Sequence, residues 1–126
     1  MPNDSSRRRV AVIGASADRR KFGNRAVRAY LRQGHEVFPI NPHAREVEGL
    51  PAYASVLDVP GPIDMATFYV PPEIGLTVID EVAAKGIGEV WLNPGSESPE
   101  LVARARAFGI EPIEACSILA IGELPI

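Results

Sequence analysis

A short apolar strand that stops at a glycine does most to constrain what this chain can fold into. Residues 10–13 are all apolar, and Gly14 ends the run. A turn of small residues and a basic cluster follow, and then a helix begins. This order is typical of a buried strand, a phosphate-binding loop and a helix N-terminus. It predicts a ligand of the nucleotide type.

Strand and helix signals alternate along the rest of the chain. Short apolar runs predict strands, and longer runs with helical spacing that end at glycine predict helices. We expect strands at 10–13, 36–40, 51–53, 65–70, 89–92 and 110–114, a helical turn at 55–57, and helices at 24–33, at 72–85 and from Pro99 onward. Because crossover connections are right-handed, helices should cover both faces of the sheet. The predicted fold class is α/β, a Rossmann-like doubly wound domain with a mainly parallel, five- to six-stranded sheet.

Side-chain spacing predicts which helical residues face the core. The expected apolar stripes of the first and third helices consist of Val27, Tyr30 and Leu31, and of Leu101, Ala105 and Phe108. Pro112 falls inside the last predicted strand, and proline lacks the N–H group that a central strand needs. We therefore expect that strand at an edge of the sheet.

The composition fits one domain over residues 1–126. Of these 126 residues, 46% are hydrophobic, and the net charge is -3. That charge balance favours neither a nucleic-acid partner nor a membrane partner. Residues 1–8, which include most of the Arg7–Arg9 basic run, are expected to form a flexible, solvated flank. Since this flank lacks the apolar segment of a signal peptide, the predicted location is cytoplasmic.

The candidate binding site follows from the predicted topology, because ligands of such sheets bind beyond the carboxyl ends of the strands. Small, proline-rich or asparagine-rich turns stand at those ends and allow a ligand to approach the backbone. They are Gly14-Ala15-Ser16, Asn41-Pro42-His43, Val70-Pro71-Pro72, Asn93-Pro94-Gly95 and Ala115-Cys116. Together they predict a binding crevice, although each turn alone is also compatible with an ordinary connection.

The first of these loops carries the groups that phosphate needs. Gly14 permits a tight turn, and Ala15 and Ser16 are small enough for a phosphate to reach the backbone N–H groups. The nearby basic side chains are Arg19, Arg20, Lys21 and Arg25. Arginine offers phosphate a bidentate contact and lysine a point charge. The alternative is that this cluster is only a solvated surface loop.

NAD or NADP is the first nucleotide to consider, and two observations disfavour it. The loop is not G-x-G-x-x-G, because the next glycine after Gly14 is Gly23. NAD sites also carry an acidic residue after the second strand, which binds the ribose hydroxyls. At that place the chain has Asn41, Pro42 and His43. An NAD(P)-binding regulatory module therefore remains only an alternative.

Taken together, these motifs make the chain resemble the CoA-binding domain proteins, stand-alone relatives of the N-terminal domain of the succinyl-CoA synthetase alpha subunit. The resemblance runs from about Arg9 to Cys116. The matching motifs are Val12-Ile13-Gly14-Ala15-Ser16, Lys21-Phe22-Gly23-Asn24, Val37-Phe38-Pro39-Ile40-Asn41-Pro42, Phe68-Tyr69-Val70-Pro71-Pro72 and a cysteine after the last strand. The turn around that cysteine departs from the synthetase Asn-Cys-Pro pattern, because it reads Ala115-Cys116-Ser117.

The resemblance implies a cofactor, coenzyme A or an acyl-CoA, and a place for each of its parts. The phosphates would contact the Gly14–Ser16 loop together with Arg19, Lys21, Gly23 and Asn24. Ile40, Asn41, Pro42 and His43 would flank the adenosine, beside an apolar wall of Tyr69, Val70, Pro71 and Pro72. Asn93, Pro94 and Gly95 would line the pantetheine path, with Cys116 towards the thiol end.

Non-catalytic binding of CoA is the function that these patterns favour. One alternative is a redox or acyl-carrying role of Cys116, the only cysteine, through a mixed disulfide with CoA. Residues 117–126 form an unusually apolar C-terminal tail, which either packs back on the domain or supports a homodimer or a protein partner.

Overall fold

The computed structural model describes residues 7–124. A parallel sheet in the order β2-β1-β5-β6-β7 consists of β1 (Arg9–Ile13), β2 (Glu36–Ile40), β5 (Met65–Phe68), β6 (Glu89–Leu92) and β7 (Ile113–Glu114). A small antiparallel hairpin consists of β3 (Glu46–Val47) and β4 (Leu50–Pro51). The helices are α1 (Phe22–Arg32), α2 (Pro72–Lys85), α3 (Pro99–Ala107) and α4 (Ser117–Ala120), with a 3-10 turn at Val56–Asp58.

The strand order confirms a Rossmann-like, doubly wound α/β fold. From β1 the chain runs outward to β2 and then returns past β1 to β5, so the winding reverses between β1 and β5. Alternate residues of β1 serve the two faces of the sheet: Val10 and Val12 pack with α1 and α4, and Ala11 and Ile13 pack with α2 and α3. This explains why residues 10–13 of β1 are all apolar.

Three predicted elements, at 36–40, 72–85 and 89–92, have the bounds of β2, α2 and β6. The other elements predicted with both ends differ from the observed ones by one to three residues at their ends. For example, α1 begins two residues early and β5 stops at Phe68. After β5 the N–H of Tyr69 still donates to the carbonyl of Ile13, at 2.8 Å, but the chain then leaves the sheet to begin α2. The hairpin's first strand, β3, is absent from the predicted elements.

Three predictions about individual side chains were wrong. Leu31 is 38% exposed, because α1 turns Ala26, Val27 and Tyr30 to the core instead. Phe108 is 47% exposed, because it lies past the end of α3 with non-helical backbone angles. Pro112 is buried but precedes β7 rather than lying within it. The predicted edge position of that last strand is confirmed.

Arg7 is exposed, as expected of a solvated flank, whereas Arg8 and Arg9 of the basic run are engaged with the sheet. The guanidinium of Arg8 donates to both carboxylate oxygens of Glu89, at 2.8 and 3.1 Å. Arg9 belongs to β1, pairs with Glu36 at 2.9 Å and lies over the ring of Phe38. The prediction for Met1–Ser6 lies outside the described residues.

The C-terminal tail packs back on the domain in part. Ile118 is completely buried against the α1 side of the sheet, and the carboxylate of Glu123 accepts hydrogen bonds from Arg32 and Gln33. Leu119 and Leu124 remain exposed, so a partner contact there stays a prediction. Pro125 and Ile126 lie outside the described residues. Between residues 7 and 124, no helix has the length and apolar character needed to cross a membrane.

The outer edge of β2 is partly occupied by the segment after the hairpin. The N–H of Tyr53 donates to the carbonyl of Pro39 and the carbonyl of Tyr53 accepts from Asn41, both at 2.9 Å. Glu36, by contrast, donates to the carbonyl of Arg8, on the β1 side. Since strand residues alternate in direction, the nitrogen of Pro39 faces outward and carries no hydrogen.

Candidate functional site

A cleft of about 610 Å³ opens at the carboxyl ends of the strands, where the winding of the sheet reverses. This is the place at which sheets of this topology bind ligands. Its walls consist of Gly14, Ala15, Ser16, Lys21, Phe22, Gly23, Asn41, Tyr69, Val70, Pro71, Asn93, Pro94, Gly95, Ser96 and Cys116. The strand-end turns that the sequence identified therefore meet in one cavity.

Most of the predicted site residues line this cleft, and some do not. Those outside its walls are Arg19, Asn24, Ile40, Pro42, His43 and Pro72. The sequence reasoning missed Phe22 and Ser96 as lining residues. Both signals were present, since Phe22 lies inside the quoted Lys21–Asn24 motif and Ser96 follows the Asn93–Gly95 turn.

Two glycines allow the loop after β1 to pack against the start of α1. Gly14 has a φ of +85°, and a Cβ there would lie 2.8 Å from the carbonyl oxygen of Tyr69. A Cβ on Gly23 would collide with the carbonyl oxygen of Gly14. The first turn of α1 thus touches the loop backbone to backbone, which only glycine permits.

Backbone donors of this loop remain available to a ligand. None of the residues between 7 and 124 accepts a hydrogen bond from the N–H groups of Ser16 and Ala17. The N-terminus of α1 reaches the same cleft through Phe22 and Gly23. Loop amides and a helix N-terminus that converge on one cavity form a typical anion site.

Two asparagines hold the loop from behind. The Nδ2 of Asn41 donates to the carbonyl of Ala15, and the Nδ2 of Asn24 donates to the carbonyl of Ser16, each at 2.8 Å. Asn24 is completely buried and does not line the cleft. Its side chain shapes the loop, rather than reaching the cavity as the sequence predicted.

Lys21 is the basic residue that lines the cleft. Arg19 points to Glu48, at 3.5 Å, and Arg20 pairs with Asp18 at 3.0 Å. The Arg20 hydrogen bonds lower the pKa of Asp18 to about 2. Arg25 lies over the ring of Phe22, 5.0 Å from its centroid. Most of the predicted phosphate-binding charge is therefore engaged with protein groups.

The residues after β2 divide between core and surface. Ile40 is buried in the sheet, whereas Pro42 and His43 are exposed outside the cleft walls. The Oδ1 of Asn41 accepts from the backbone N–H of His43 at 2.7 Å, which closes a turn and directs the chain away from the cavity. Pro72 begins α2 and also lies outside.

A buried polar network forms the far wall of the cleft, around Asn93. Its Nδ2 donates to the hydroxyl of Thr67 at 2.7 Å, and its Oδ1 accepts from the N–H of Ser117 at 2.9 Å. The Ser117 hydroxyl also contacts the hydroxyls of Thr67 and Tyr69, at 2.7 and 3.1 Å. Burial raises the pKa of Tyr69 to about 12, so this phenol is neutral near pH 7.

This network also positions the turn that carries Cys116. The residue precedes α4, whose first N–H group, that of Ser117, is bound by Asn93. Cys116 is half-buried and reaches the cleft wall. Thr67 and Ser117 were not identified from the sequence, because isolated hydroxyl residues in a strand and a tail carry no recognisable pattern.

The described residues contain no group of three or more metal-ligating side chains that could hold a metal ion. Both histidines of the chain also lie outside the walls of the cleft. The chemistry available in the cavity is thus backbone N–H donation, amide and hydroxyl contacts, one ammonium group and one thiol.

Known proteins are similar to this chain in sequence and in fold. A family model described as "CoA binding domain" matches residues 8–122. The alpha subunit of ADP-forming acetate–CoA ligase II from Pyrococcus furiosus is 34% identical over 117 residues, which is 84% of this chain and 26% of that protein. The chain spans 12 to 26% of the length of five such ligase relatives.

Two solved structures illustrate the similarity. A conserved hypothetical protein from Pyrococcus furiosus has a TM-score of 0.83 and 36% identity, and the match covers 90% of this chain and 98% of that one. The dinucleotide-forming acetyl-coenzyme A synthetase 1 of Ca. Korarchaeum cryptofilum, solved with phosphate and ADP, has a TM-score of 0.76 and 34% identity. That match covers 89% of this chain and 26% of the synthetase chain.

Proposed function

Because the chain belongs to the family of CoA-binding domains, we propose that it binds coenzyme A or an acyl-CoA in the cleft without catalysing a reaction on it. The observation that carries this proposal is the loop after β1. There the N–H groups of Ser16 and Ala17 have no acceptor among residues 7–124, and Ser16 lines the cleft together with the N-terminus of α1, at the reversal of the sheet. In this proposal the CoA phosphates bind to that loop, with Lys21 as their side-chain cation.

The neutral side chain after β2 supports CoA over NAD. Asn41 occupies the place where NAD sites carry a carboxylate, and its amide is engaged with the carbonyl of Ala15. No acidic side chain is among the residues that line the cleft. Since the ribose of CoA bears a phosphate, a wall without negative charge is suited to it.

The rest of the cleft suits the uncharged part of CoA. Val70 and Pro71 form an apolar wall, and the Asn93–Gly95 turn forms the other side with Ser96. We propose that the pantetheine arm lies between them, with its thiol end towards Cys116. Tyr69, Asn93 and the buried hydroxyls would hold this path in shape, because their polar atoms are already hydrogen-bonded to one another.

Isothermal titration of the protein with CoA, acetyl-CoA, NAD and NADP tests the proposal. We expect CoA or acetyl-CoA to bind at micromolar concentration and the dinucleotides to bind at least ten-fold more weakly, a difference of about 1.4 kcal/mol. Binding of NAD without binding of CoA would refute it and would favour the alternative of a dinucleotide-binding regulatory module.

The position of Cys116 on the cleft wall favours a second candidate role, reversible attachment of CoA. The thiolate would attack CoA disulfide, forming a protein–CoA disulfide and releasing one CoA thiol. Mass spectrometry after treatment with CoA disulfide measures this step, and the Cys116→Ser variant is the control. An unmodified wild-type protein would exclude this role and leave the non-catalytic binding role intact.

A further inference from the structure

The turn of the β3–β4 hairpin has an unusual backbone conformation. Glu48 has a φ of +51°, the only positive value of a non-glycine residue in the part of the chain that is described, and Gly49 follows with +78°. Two-residue hairpin turns of this kind strongly prefer asparagine, aspartate or glycine at the first position. A glutamate there is strained, and such strain persists where the surrounding contacts hold it.

The side chain of Glu48 reaches the back of the loop after β1. Its carboxylate accepts a hydrogen bond from the Nδ2 of Asn24 at 3.1 Å and pairs with the guanidinium of Arg19 at 3.5 Å. Only 22% of the side chain is exposed. The hairpin thus places a carboxylate against Asn24, outside the walls of the cleft.

Glu48 also determines how the amide of Asn24 is oriented. The Oδ1 of Asn24 accepts from the Nε of Arg28 at 2.8 Å, while its Nδ2 faces Glu48. A carboxylate can only accept and a guanidinium can only donate, so a flipped amide would face an acceptor with its oxygen and a donor with its nitrogen. The two charges therefore fix the amide in one orientation.

The fixed amide in turn holds one peptide unit of the loop. Its second N–H bond goes to the carbonyl of Ser16 at 2.8 Å. Because a peptide unit is planar and trans, the N–H of Ala17 must then point away from Asn24. This is one of the two loop N–H groups that have no acceptor among residues 7–124.

We propose that Glu48 is a positioning residue for the phosphate site: through Asn24 it holds the Ser16–Ala17 peptide with its N–H directed at the ligand. This inference rests on the proposed binding of CoA. The inference predicts that loss of the Glu48 side chain weakens CoA binding. Electrostatic repulsion alone predicts the opposite, because removal of a carboxylate near a phosphate site should strengthen binding.

Three variants separate these expectations in titrations with CoA. Glu48→Gly relieves the backbone strain and removes the side chain, and we expect CoA affinity to fall five- to ten-fold. Glu48→Gln removes the charge but keeps an oxygen that can accept from Asn24, so affinity should stay within about two-fold of wild type. Glu46→Gln, an equal loss of charge from the exposed β3 residue, should also leave it unchanged.

A double-mutant cycle tests whether Glu48 acts through Asn24. In an Asn24→Ala background, Glu48→Gly should change CoA affinity by less than two-fold, because the connection is already broken. Equal or tighter binding by the Glu48→Gly single variant would overturn the inference. So would an undiminished effect of Glu48→Gly in the Asn24→Ala background.

A readout without ligand keeps this inference distinct from the proposed function. The amide ¹H–¹⁵N resonance of Ala17 in the free protein should shift in Glu48→Gly and remain in place in Glu48→Gln and Glu46→Gln. If wild-type protein fails to bind CoA while this pattern holds, the proposed function fails and the positioning role of Glu48 stands. An unshifted Ala17 resonance in Glu48→Gly would refute that role whatever the ligand.

Discussion

The two ends of the parallel sheet use polar groups in opposite ways. At the amino end, Arg8 is joined to Glu89 by two hydrogen bonds and Arg9 to Glu36 by one. The Arg8 hydrogen bonds also hold the pKa of Glu89 below its usual value. At the carboxyl end, backbone N–H groups and the exposed Lys21 surround a cleft whose lining contains no carboxylate.

This difference separates groups that stabilise the fold from groups that remain for a ligand. Arginine fits the first task because its planar fork pairs with a carboxylate in fixed geometry. The carboxyl end instead has close glycine contacts and loop carbonyls that accept from Asn24 and Asn41. The N–H groups of Ser16 and Ala17 have no acceptor among the residues that the structure describes. Substitutions at the amino end should therefore change stability alone, and those at the cleft should change binding.

The largest effect is expected where the carboxyl end depends on close backbone contact. Gly23→Ala places a methyl group against the carbonyl oxygen of Gly14, which cannot move without shifting the loop. We expect the free energy of unfolding to fall by about 3 kcal/mol and CoA binding to be lost. Urea denaturation and titration measure the two effects. Gly88→Ala, at a site with open space, is the matched control and should change stability by less than about 0.5 kcal/mol.

Lys21→Met tests the charge that remains for the ligand. Affinity for CoA should fall about ten-fold, or about 1.4 kcal/mol, and depend less on salt, because one cation has left the cleft. The free energy of unfolding should not change, since Lys21 is exposed. Arg45→Met, an exposed charge outside the cleft, controls for net charge. Equal losses of affinity in both variants would contradict a specific contact by Lys21.

Arg8→Met tests the opposite end of the sheet. Loss of the hydrogen bonds to Glu89 should lower the free energy of unfolding by about 1 kcal/mol, because the pair is bidentate and only partly exposed. CoA affinity should remain that of wild type. Arg104→Met, which removes a more exposed pair with Asp80, should cost less. A drop in CoA affinity on Arg8→Met would show that the two ends are coupled.

The smallest expected effect is a pH dependence of stability that arises from His35, at the amino end of the sheet. Burial, with a contribution from Arg8, lowers the pKa of His35, whose Nδ1 accepts from the backbone N–H of Arg8 at 3.0 Å. The unfolded chain, with a histidine pKa of about 6.5, then binds more protons than the folded one as pH falls. The contribution of His35 to the free energy of unfolding should be fully present above that pKa. It should decrease as the pH drops from about 7 to 5.

Thermal melts of wild type and His35→Asn at both ends of that range measure this contribution. The histidine variant should show a smaller decrease in Tm between pH 7 and 5, because asparagine does not titrate. His43→Asn, on the exposed turn after β2, should retain the wild-type decrease. An identical pH dependence of the His35 and His43 variants would rule out the contribution of His35.

Strong local patterns explain the parts of the fold that the sequence predicted well. The side chain of Ser98 caps α3, with Pro99 in the first turn, and the left-handed Gly86 ends α2, so these boundaries depend on neighbouring residues. The strand expected at 51–53 overlaps β4, but its partner β3 escaped prediction, because two-residue strands carry no periodicity. The first turn residue of the hairpin is also one that such turns disfavour.

The sequence predicted the position of the cleft, but it did not predict the contacts of every residue assigned to it. Glycine and proline turns mark strand ends, so the cleft followed once the sheet was assigned. Asn24 was expected at the ligand because it belongs to the Lys21–Asn24 motif of the family resemblance, yet its side-chain contacts are with Ser16, Arg28 and Glu48. A partner 24 residues away along the chain, such as Glu48, leaves no recognisable pattern in a single sequence.

Pro39 has a consequence for what happens when many copies of this protein are crowded together. An exposed strand edge invites pairing with a strand of another molecule, which starts aggregation. The outward nitrogen of Pro39 cannot donate, and its carbonyl is already bonded to Tyr53. At the opposite edge β7 is only two residues long and follows the buried Pro112. Both borders of the sheet thus discourage intermolecular strand addition.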